Sequence, residues 1–501
     1  MLTSYRNSLR NISLSISGYA WLYVLVLITY AYQAIMPTFN SDDIIQIQSI
    51  SQDTKTFLAQ GRWGYFMVFE WLQDNNPGGL FYSAVGSMLL LWSSWFAART
   101  IGFNHDAAIY AFMLVSCISI YYGMLFDFSS TRVAYPLANL CALAGLYVIQ
   151  KGKYGVGMAL LVLAPALYPA AAQVAGVVLI CAFIMGIVTQ NVSLAFKRFL
   201  MSTAALILSL ILYFLVTSIS YHFIGIEPSS RMSVSPFAFI ENADDIKSLF
   251  LLHSISFLTL PETPYISLRW SLPLLGIFTT FTLTCGMLIW RNKLNATVII
   301  LLVALSLFAP FALAFAGSDT PFPPRSLIGL ASLHAFWVAF VIDRVCNKNI
   351  NQYFAAAALV CAGAFSALFL FDSASQINKF AYDRHLATQA DLSATNRIIS
   401  RIEQTAADLE RPLATPQSIA VIYDSPMPAG PRGKAESARF AHWSREWIFR
   451  IVDTRFIPAS ETERLAAVDA AANRESWPSN ESVFFIDDVA VVIINQQDTQ
   501  P

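Results

Sequence analysis

The chain has 501 residues and a formal net charge of −1; 56% of its residues are hydrophobic and only 13% are charged. So small a share of charge excludes an ordinary soluble protein of this length. The near-zero net charge gives no support for binding to nucleic acid. The 6 cysteines lie within or beside apolar runs, which is typical of buried, reduced residues. We therefore expect an integral membrane protein.

Apolar runs of about 20 residues, the length that crosses a bilayer core, predict an α-helical polytopic membrane protein with about 11 transmembrane helices. The runs lie at residues 19–36, 80–100, 107–126, 132–149, 154–168, 170–190, 199–220, 270–290, 295–316, 326–345 and 352–371. With the N-terminus in the cytoplasm, the inner connections carry the Lys and Arg residues and the outer ones carry most of the acids. This is the positive-inside pattern, and it leaves the C-terminus outside.

Residues 372–501 differ in composition from the rest, since they contain 13 Lys or Arg and 18 Asp or Glu. Helical spacing of apolar residues over 376–409 predicts an amphipathic helix. Two β-prone runs follow, at 418–423 and 483–494, the second with a possible turn between strands at Asp487-Asp488. We expect two domains, a membrane domain at 1–371 and a small C-terminal α+β domain on the outer side.

Two adjacent acids, Asp42 and Asp43, begin the first outer loop, which covers residues 37–79. Apolar residues such as Ile44 predict that this loop starts with a helix lying on the membrane surface. A partly desolvated carboxylate there suits the removal of a proton from a sugar hydroxyl. The alternative is that the two acids only cap the helix. Adjacent helical residues point about 100° apart, so we expect one to face the substrate, with a slight preference for Asp42.

Asp127 is the second candidate acid, and it stands between two apolar runs with Arg132 five residues further on. The alternative is that Asp127 is a solvated turn carboxylate paired with Arg132. Near the prolines that interrupt the stretch from 154 to 188, Tyr168 and Gln173 could supply a hydroxyl and an amide to the same outer cavity.

Charged side chains are missing from the centres of the predicted spans, where His334 is the obvious titratable exception. Ion-coupled transporters place charges at that depth, so the pattern favours a reaction at the outer surface. Arginine suits a lipid phosphate, because it stays protonated and donates two parallel hydrogen bonds. Taken singly, each outer arginine is better explained as an anchor for lipid headgroups. The candidates for phosphate binding are Arg62, Arg132, Arg325 and, in the long outer loop at 221–268, Arg231.

Two short motifs, Asn40-Ser41-Asp42-Asp43 and Gly61-Arg62-Trp63, resemble those of the type II glucosyltransferases of serotype-converting bacteriophages and their bacterial relatives. The segment from Leu167 to Gln173 is similar to that group's Tyr-Gln segment, with four residues between the tyrosine and the glutamine here. The arrangement of outer acids resembles polytopic glycosyltransferases of the GT-C architecture. The resemblance covers the membrane portion, about residues 17–371.

The resemblance implies an inverting hexosyltransferase of the bacterial inner membrane, with a periplasmic C-terminal domain. Undecaprenyl-phosphate-glucose would be the donor, and an O-antigen repeat of lipopolysaccharide would be the acceptor, as in serotype conversion. Asp42 or Asp43 would deprotonate the acceptor, and an arginine would stabilise the departing phosphate. Trp63, Tyr168 and Gln173 would contact substrate.

The same resemblance implies two partner proteins, a polyprenyl-phosphate glucose synthase and a small flippase. No cofactor is expected with confidence. The adjacent acids could hold Mg²⁺ or Mn²⁺, but two carboxylates offer fewer oxygens than such hard cations prefer. Two other functions stay open: a flippase or transporter of lipid-linked sugars, and a non-catalytic assembly protein of the cell envelope.

Overall fold

The structure, a computed structural model, describes residues 16–36, 38–48, 50–73, 79–189, 192–229, 232, 243–259, 268–292, 296–312, 324–346, 351–423 and 444–494. In these ranges, the regular secondary structure before residue 409 is helical. Apolar segments of this length form helices in lipid because every backbone N–H and C=O must be paired within the segment.

The α-helices of the described residues follow in chain order. They are α1 (Ile16–Ile35), α2 (Ser41–Gln48), α3 (Ile50–Ala59), α4 (Trp63–Phe66), α5 (Leu80–Ile101), α6 (Asp106–Cys117), α7 (Ile120–Phe126), α8 (Ala134–Gln150), α9 (Tyr154–Leu167), α10 (Ala170–Thr189), α11 (Val192–Ile224), α12 (Ala243–Leu249), α13 (Ser256–Thr259), α14 (Leu268–Asn292), α15 (Ala296–Phe308), α16 (Gly329–Cys346), α17 (Gln352–Asp408), α18 (Trp447–Val452) and α19 (Glu461–Ala471). Four strands complete the set: β1 (Gln417–Tyr423), β2 (Phe456–Pro458), β3 (Val483–Ile486) and β4 (Val489–Ile494).

Eight of these helices are long and apolar enough to cross a membrane, namely α1, α5, α8, α10, α11, α14, α16 and α17. The pair α6 and α7, bent by 50°, makes a ninth if the two form one span. The remaining predicted runs hold α9 and α15, which are shorter apolar helices; a helix of 14 residues, such as α9, rises only about 21 Å against a core of about 30 Å. The polytopic helical architecture is confirmed, but the count of about 11 spans is not confirmed within the described ranges.

Burial ranks the spans from the centre of the bundle outwards. In the most apolar stretch of each helix, the share of buried residues is 94% for α16 and 72% for α10. The corresponding shares are only 22% for α11 and 28% for α17. The first two therefore form the middle of the bundle, and the apolar surfaces of the last two are left for lipid.

The helix α17 is continuous over 57 residues and passes through the predicted domain boundary at 371/372. Its sequence has no proline and is rich in alanine, so nothing in it ends the helix there. Beyond it the strands form one sheet in the order β2-β1-β4-β3, in which β1 runs parallel to β2 and β4 while β3 and β4 are antiparallel. The predicted strands and the turn at Asp487 and Asp488 are confirmed. The division at residue 371 and a periplasmic location stay predictions.

Candidate active site

The helix α2 begins at a cap built from Asn40 and Asp43. Asn40 Oδ1 accepts a hydrogen bond from the backbone N of Asp42 at 3.1 Å. In return, Asp43 Oδ2 accepts one from the backbone N of Asn40 at 3.3 Å. This reciprocal arrangement satisfies donors that a helix start leaves unpaired. Asp43 therefore does cap the helix, while the Asp42 side chain takes no part in the cap.

Asp43 also joins α2 to the turn that follows α7. Its carboxylate accepts from the backbone N of Ser129 at 3.1 Å, and from the backbone N and Oγ of Ser130, both at 3.3 Å. The side chain is completely buried. Burial, which disfavours the charged form, raises the pKa of Asp43 from 3.8 to about 6, against the opposing effect of the serine hydrogen bonds and of Arg132. Both carboxylate oxygens are thus occupied by the protein itself.

Asp127 is buried as well, and its partner is an arginine that sequence analysis missed. Arg384 of α17 donates from Nε to Oδ1 at 3.2 Å and from Nη2 to Oδ2 at 3.0 Å. Asn40 Nδ2 donates to the same Oδ2 at 3.1 Å. The alternative of a solvated turn carboxylate paired with Arg132 is wrong, because Asp127 is enclosed and forms its ion pair with Arg384.

Arg132 makes buried hydrogen bonds that tie neighbouring segments together. Its Nε donates to the carbonyl of Phe126 at 3.0 Å, and its Nη2 donates to the carbonyl of Gln33 at 2.8 Å. A Cβ on Gly86 of α5 would lie 2.0 Å from the Arg132 carbonyl oxygen, so the two backbones are in direct contact. The guanidinium is buried and satisfies two backbone carbonyls, which leaves it poorly placed for a lipid phosphate.

Asp42 differs from the other two acids because its side chain is partly exposed. Within the described residues, no group donates a hydrogen bond to its carboxylate; its backbone N donates to Asn40, as described above. Of the three predicted acids, Asp42 is therefore the one with a carboxylate open to a substrate hydroxyl.

Arg62 and Arg325 meet at a pair of stacked tyrosines. Tyr135 and Tyr168 stack with ring centroids 3.8 Å apart. Arg62 Nη1 donates to the Tyr135 hydroxyl at 3.2 Å, and its guanidinium lies 5.9 Å from the Tyr168 ring. The Tyr168 hydroxyl donates to the backbone carbonyl of Arg325 at 3.3 Å. The predicted residues Arg62, Tyr168 and Arg325 therefore lie together in one cluster.

This arginine cluster adjoins Asp127 through Phe128. The Arg325 guanidinium lies 4.3 Å from the centroid of the Phe128 ring, and Phe128 follows Asp127 directly in the chain. Among the described residues, no acceptor pairs with the buried Nε of Arg62. Fixed cationic donors with remaining hydrogen-bonding capacity suit a phosphate.

The backbone around Arg62 is held by α11. The Tyr213 hydroxyl donates to the Gly61 carbonyl at 3.2 Å, and the Tyr221 hydroxyl donates to the Ala59 carbonyl at 2.8 Å. Gly61 has φ +72°, and a Cβ there would lie 2.5 Å from the Tyr213 hydroxyl oxygen. Trp63 Nε1 donates to Thr217 Oγ1 at 3.3 Å. Hydrogen bonds to α11 thus hold the Gly-Arg-Trp turn in place. Contact of Trp63 with substrate stays a prediction.

The sequence predicts that α2 lies with its apolar side on the membrane surface, but the structure places Ile44 of α2 inside the protein. Ile44 is completely buried, in an apolar cluster with Ile398 and Ile402 of α17 and Phe449 of α18. The burial of Ile44 among protein side chains contradicts the surface-helix prediction at this position. The start of the first outer loop, at Phe39 and Ile44, is instead packed on the C-terminal part of the chain.

The remaining predicted residues are placed as follows. Gln173 is buried in the first turn of α10, and Arg231 lies outside the described residues. Three or more His, Cys, Asp or Glu residues that could share a metal ion do not come together anywhere in the described ranges. Both Asp43 oxygens accept hydrogen bonds from the protein, which disfavours a Mg²⁺ or Mn²⁺ ion at Asp42 and Asp43.

Comparison with known families decides the class of protein. A family model described as Glucosyl transferase GtrII matches residues 31–342, which is well over half of the chain. The chain belongs to this family. The resemblance to type II glucosyltransferases is confirmed, and with the apolar helices it identifies a membrane glucosyltransferase. The matched region of the glucosyltransferase includes the three acids and both clustered arginines, but it ends before Arg384. Searches of curated proteins and of solved structures found no match.

Proposed function

We propose that this glucosyltransferase moves a glucosyl residue from undecaprenyl-phosphate-glucose to an O-antigen repeat of lipopolysaccharide on the periplasmic side of the inner membrane. The observation that carries the proposal is a series of contacts between an open carboxylate and two arginines. Arg325 lies on the ring of Phe128, next to Asp127, and shares Tyr168 with Arg62. Asp127 is hydrogen-bonded to Asn40, which caps the helix that carries Asp42. A base and a phosphate site in the same region of the fold are what transfer from a phosphate-linked sugar requires.

In the proposed reaction, Asp42 is the general base. Its carboxylate accepts the proton of the acceptor hydroxyl while that oxygen bonds to the anomeric carbon of glucose. The bond from this carbon to the phosphate oxygen breaks at the same time, and the polyprenyl phosphate leaves with the electron pair. Attack from the face opposite the leaving group inverts the anomeric configuration, so a β-linked donor gives an α-glucoside.

Arg62 and Arg325 would bind the donor phosphate and stabilise the charge that grows on it. Tyr135 and Tyr168 support this role, because they hold one arginine side chain and the other arginine's backbone. Asp43 and Asp127 are proposed to shape the site, since both are buried and hydrogen-bonded within the protein. The lipid phosphate is already a good leaving group, so the reaction needs no separate general acid.

Purified protein in lipid vesicles tests this function directly. The vesicles would contain undecaprenyl-phosphate-[¹⁴C]glucose together with lipopolysaccharide that carries O-antigen. We expect label in the lipopolysaccharide, in an α-linkage shown by α-glucosidase release. Movement of the labelled donor across the bilayer with no new glycosidic bond would contradict the proposal and would favour a flippase.

A further inference from the structure

The long helix α17 packs closely against two elements next to the acids, α7 and α1. A Cβ on Gly123 of α7 would lie 2.6 Å from a side-chain carbon of Ile377, so the two helices are in direct contact there. On the other side, Asn378 Nδ2 donates to the Thr29 carbonyl at 3.2 Å. Arg384 lies about two turns further along the same helix. These contacts therefore set the position from which its guanidinium reaches Asp127.

The ion pair between Arg384 and Asp127 is enclosed, with side-chain exposures of 6% and 3%. A buried carboxylate without its cation is strongly unfavourable, and two hydrogen bonds from one guanidinium fix its orientation. The fixed Asp127 in turn accepts from Asn40 Nδ2. Because Asn40 caps the helix that carries Asp42, the chain of contacts runs from Arg384 to the proposed base.

A second set of contacts leads from α17 to the same helix. Thr388, one turn beyond Arg384, accepts a hydrogen bond at Oγ1 from the backbone N of Phe39 at 3.2 Å. Ile44 is buried with Ile398 and Ile402, further along α17. The start of α2 is therefore attached to α17 on both sides of Asp42.

We propose that the C-terminal helix is part of the catalytic unit, and that Arg384 is a positioning residue that acts through Asp127 and Asn40 to hold Asp42 at the acceptor hydroxyl. This inference rests on the proposed function, because it takes Asp42 as the base. It also extends the functional unit beyond the region matched by the family model, which ends at residue 342.

Kinetics of purified variants in the vesicle assay test the role of Arg384. We expect Arg384→Gln to lower kcat on the order of 100-fold, as small displacements of a catalytic group do, with the KM for the lipid donor unchanged within about twofold. Arg384→Lys keeps the charge but loses the paired hydrogen bonds, so it should recover part of kcat. The double variant Asp127→Asn/Arg384→Gln should have a higher kcat than Arg384→Gln alone, because it leaves no uncompensated buried charge.

The matched control is Arg455→Gln. Arg455 also forms an ion pair with a carboxylate of α17, Glu403, at 2.6 Å, but both side chains are exposed. We expect no change in kcat or KM for this variant. Hydrogen exchange supplies a readout that needs no activity: peptides covering residues 41–48 should exchange faster in Arg384→Gln and at the wild-type rate in Arg455→Gln.

Three outcomes would overturn the inference while leaving the proposed function intact. They are wild-type kcat in folded Arg384→Gln or Arg384→Lys, a loss confined to the donor KM, and equal losses in Arg384→Gln and Arg455→Gln. If Arg384→Gln does not fold, Arg384→Lys decides. Absence of transfer by the wild-type protein would instead contradict the proposed function itself.

Discussion

The turn at Gly61 allows a quantitative prediction about how Arg62 is held. Replacing Gly61 by alanine puts a side chain at φ +72°, where a Cβ lies 2.5 Å from the Tyr213 hydroxyl oxygen and 2.9 Å from the terminal carbon of Met232. The backbone conformation alone costs about 1–2 kcal/mol. Loss of the hydrogen bond from Tyr213 to the Gly61 carbonyl adds about 1 kcal/mol. We expect Gly61→Ala to destabilise the protein by about 2–3 kcal/mol and to raise the donor KM through displacement of Arg62.

Two further variants separate the backbone effect from the steric one. Gly102→Ala is the matched control, since Gly102 has φ +93° and nothing within 4 Å of an added Cβ; it should lose only the backbone contribution and keep the wild-type KM. Tyr213→Phe removes the nearest atom, so the double variant Gly61→Ala/Tyr213→Phe should be less destabilised than the sum of the singles. Thermal unfolding in detergent and donor KM measure both effects. Equal losses in Gly61→Ala and Gly102→Ala, or strictly additive singles, would refute the reasoning.

Three further predictions concern the charged residues. Burial raises the folded-state pKa of Asp43 to about 6, so between about pH 4 and 6 the native state holds a proton that the unfolded state has lost. The free energy of unfolding should therefore fall by about 3 kcal/mol as the pH rises through that window. Thermal unfolding of Asp43→Asn should lack this pH dependence, and an equal pH dependence in the variant would contradict the prediction. Arg62→Lys should raise the donor KM about tenfold in the vesicle assay with a smaller change in kcat, because the hydrogen bond to Tyr135 and the planar fork are lost; an unchanged KM would count against a phosphate role. Arg132→Gln should destabilise the protein by about 2–4 kcal/mol in thermal unfolding, because it leaves two buried carbonyls unpaired. The control Arg397→Gln, at an exposed position, should have little effect. Equal changes in melting temperature for the two variants would show that Arg132 is not structural.

The features that were predictable from sequence are those encoded over short distances. The acidic pair and the Gly-Arg-Trp turn are contiguous motifs, and the strand pattern at 483–494 gave the β-hairpin correctly. Apolar length identified α1 and α5 as helices long enough to span a membrane, but it could not distinguish such a helix from a shorter apolar helix such as α9.

Long-range partners could not be predicted in the same way. Arg384 is 257 residues from Asp127 in sequence, and the nearer Arg132 offered a simpler partner. A signal was present, however, because Ile377, Ala381 and Arg384 share one buried face of the predicted amphipathic helix. An arginine on an apolar face requires a buried counter-ion, but the sequence does not show which distant acid supplies it. The surface-helix prediction for Ile44 was wrong for the same reason, since its packing partners lie in the C-terminal part.

The central claim, that the glucosyltransferase uses Asp42 as its general base, is tested most directly by the transfer rate of Asp42→Asn at saturating donor. The asparagine keeps the size of the side chain but cannot take the proton, so we expect kcat to fall by about 10²–10⁴-fold with unchanged thermal stability. Asp469→Asn, at an exposed position on α19, is the control and should keep wild-type kcat. A folded Asp42→Asn protein that transfers glucose at the wild-type rate would contradict the account.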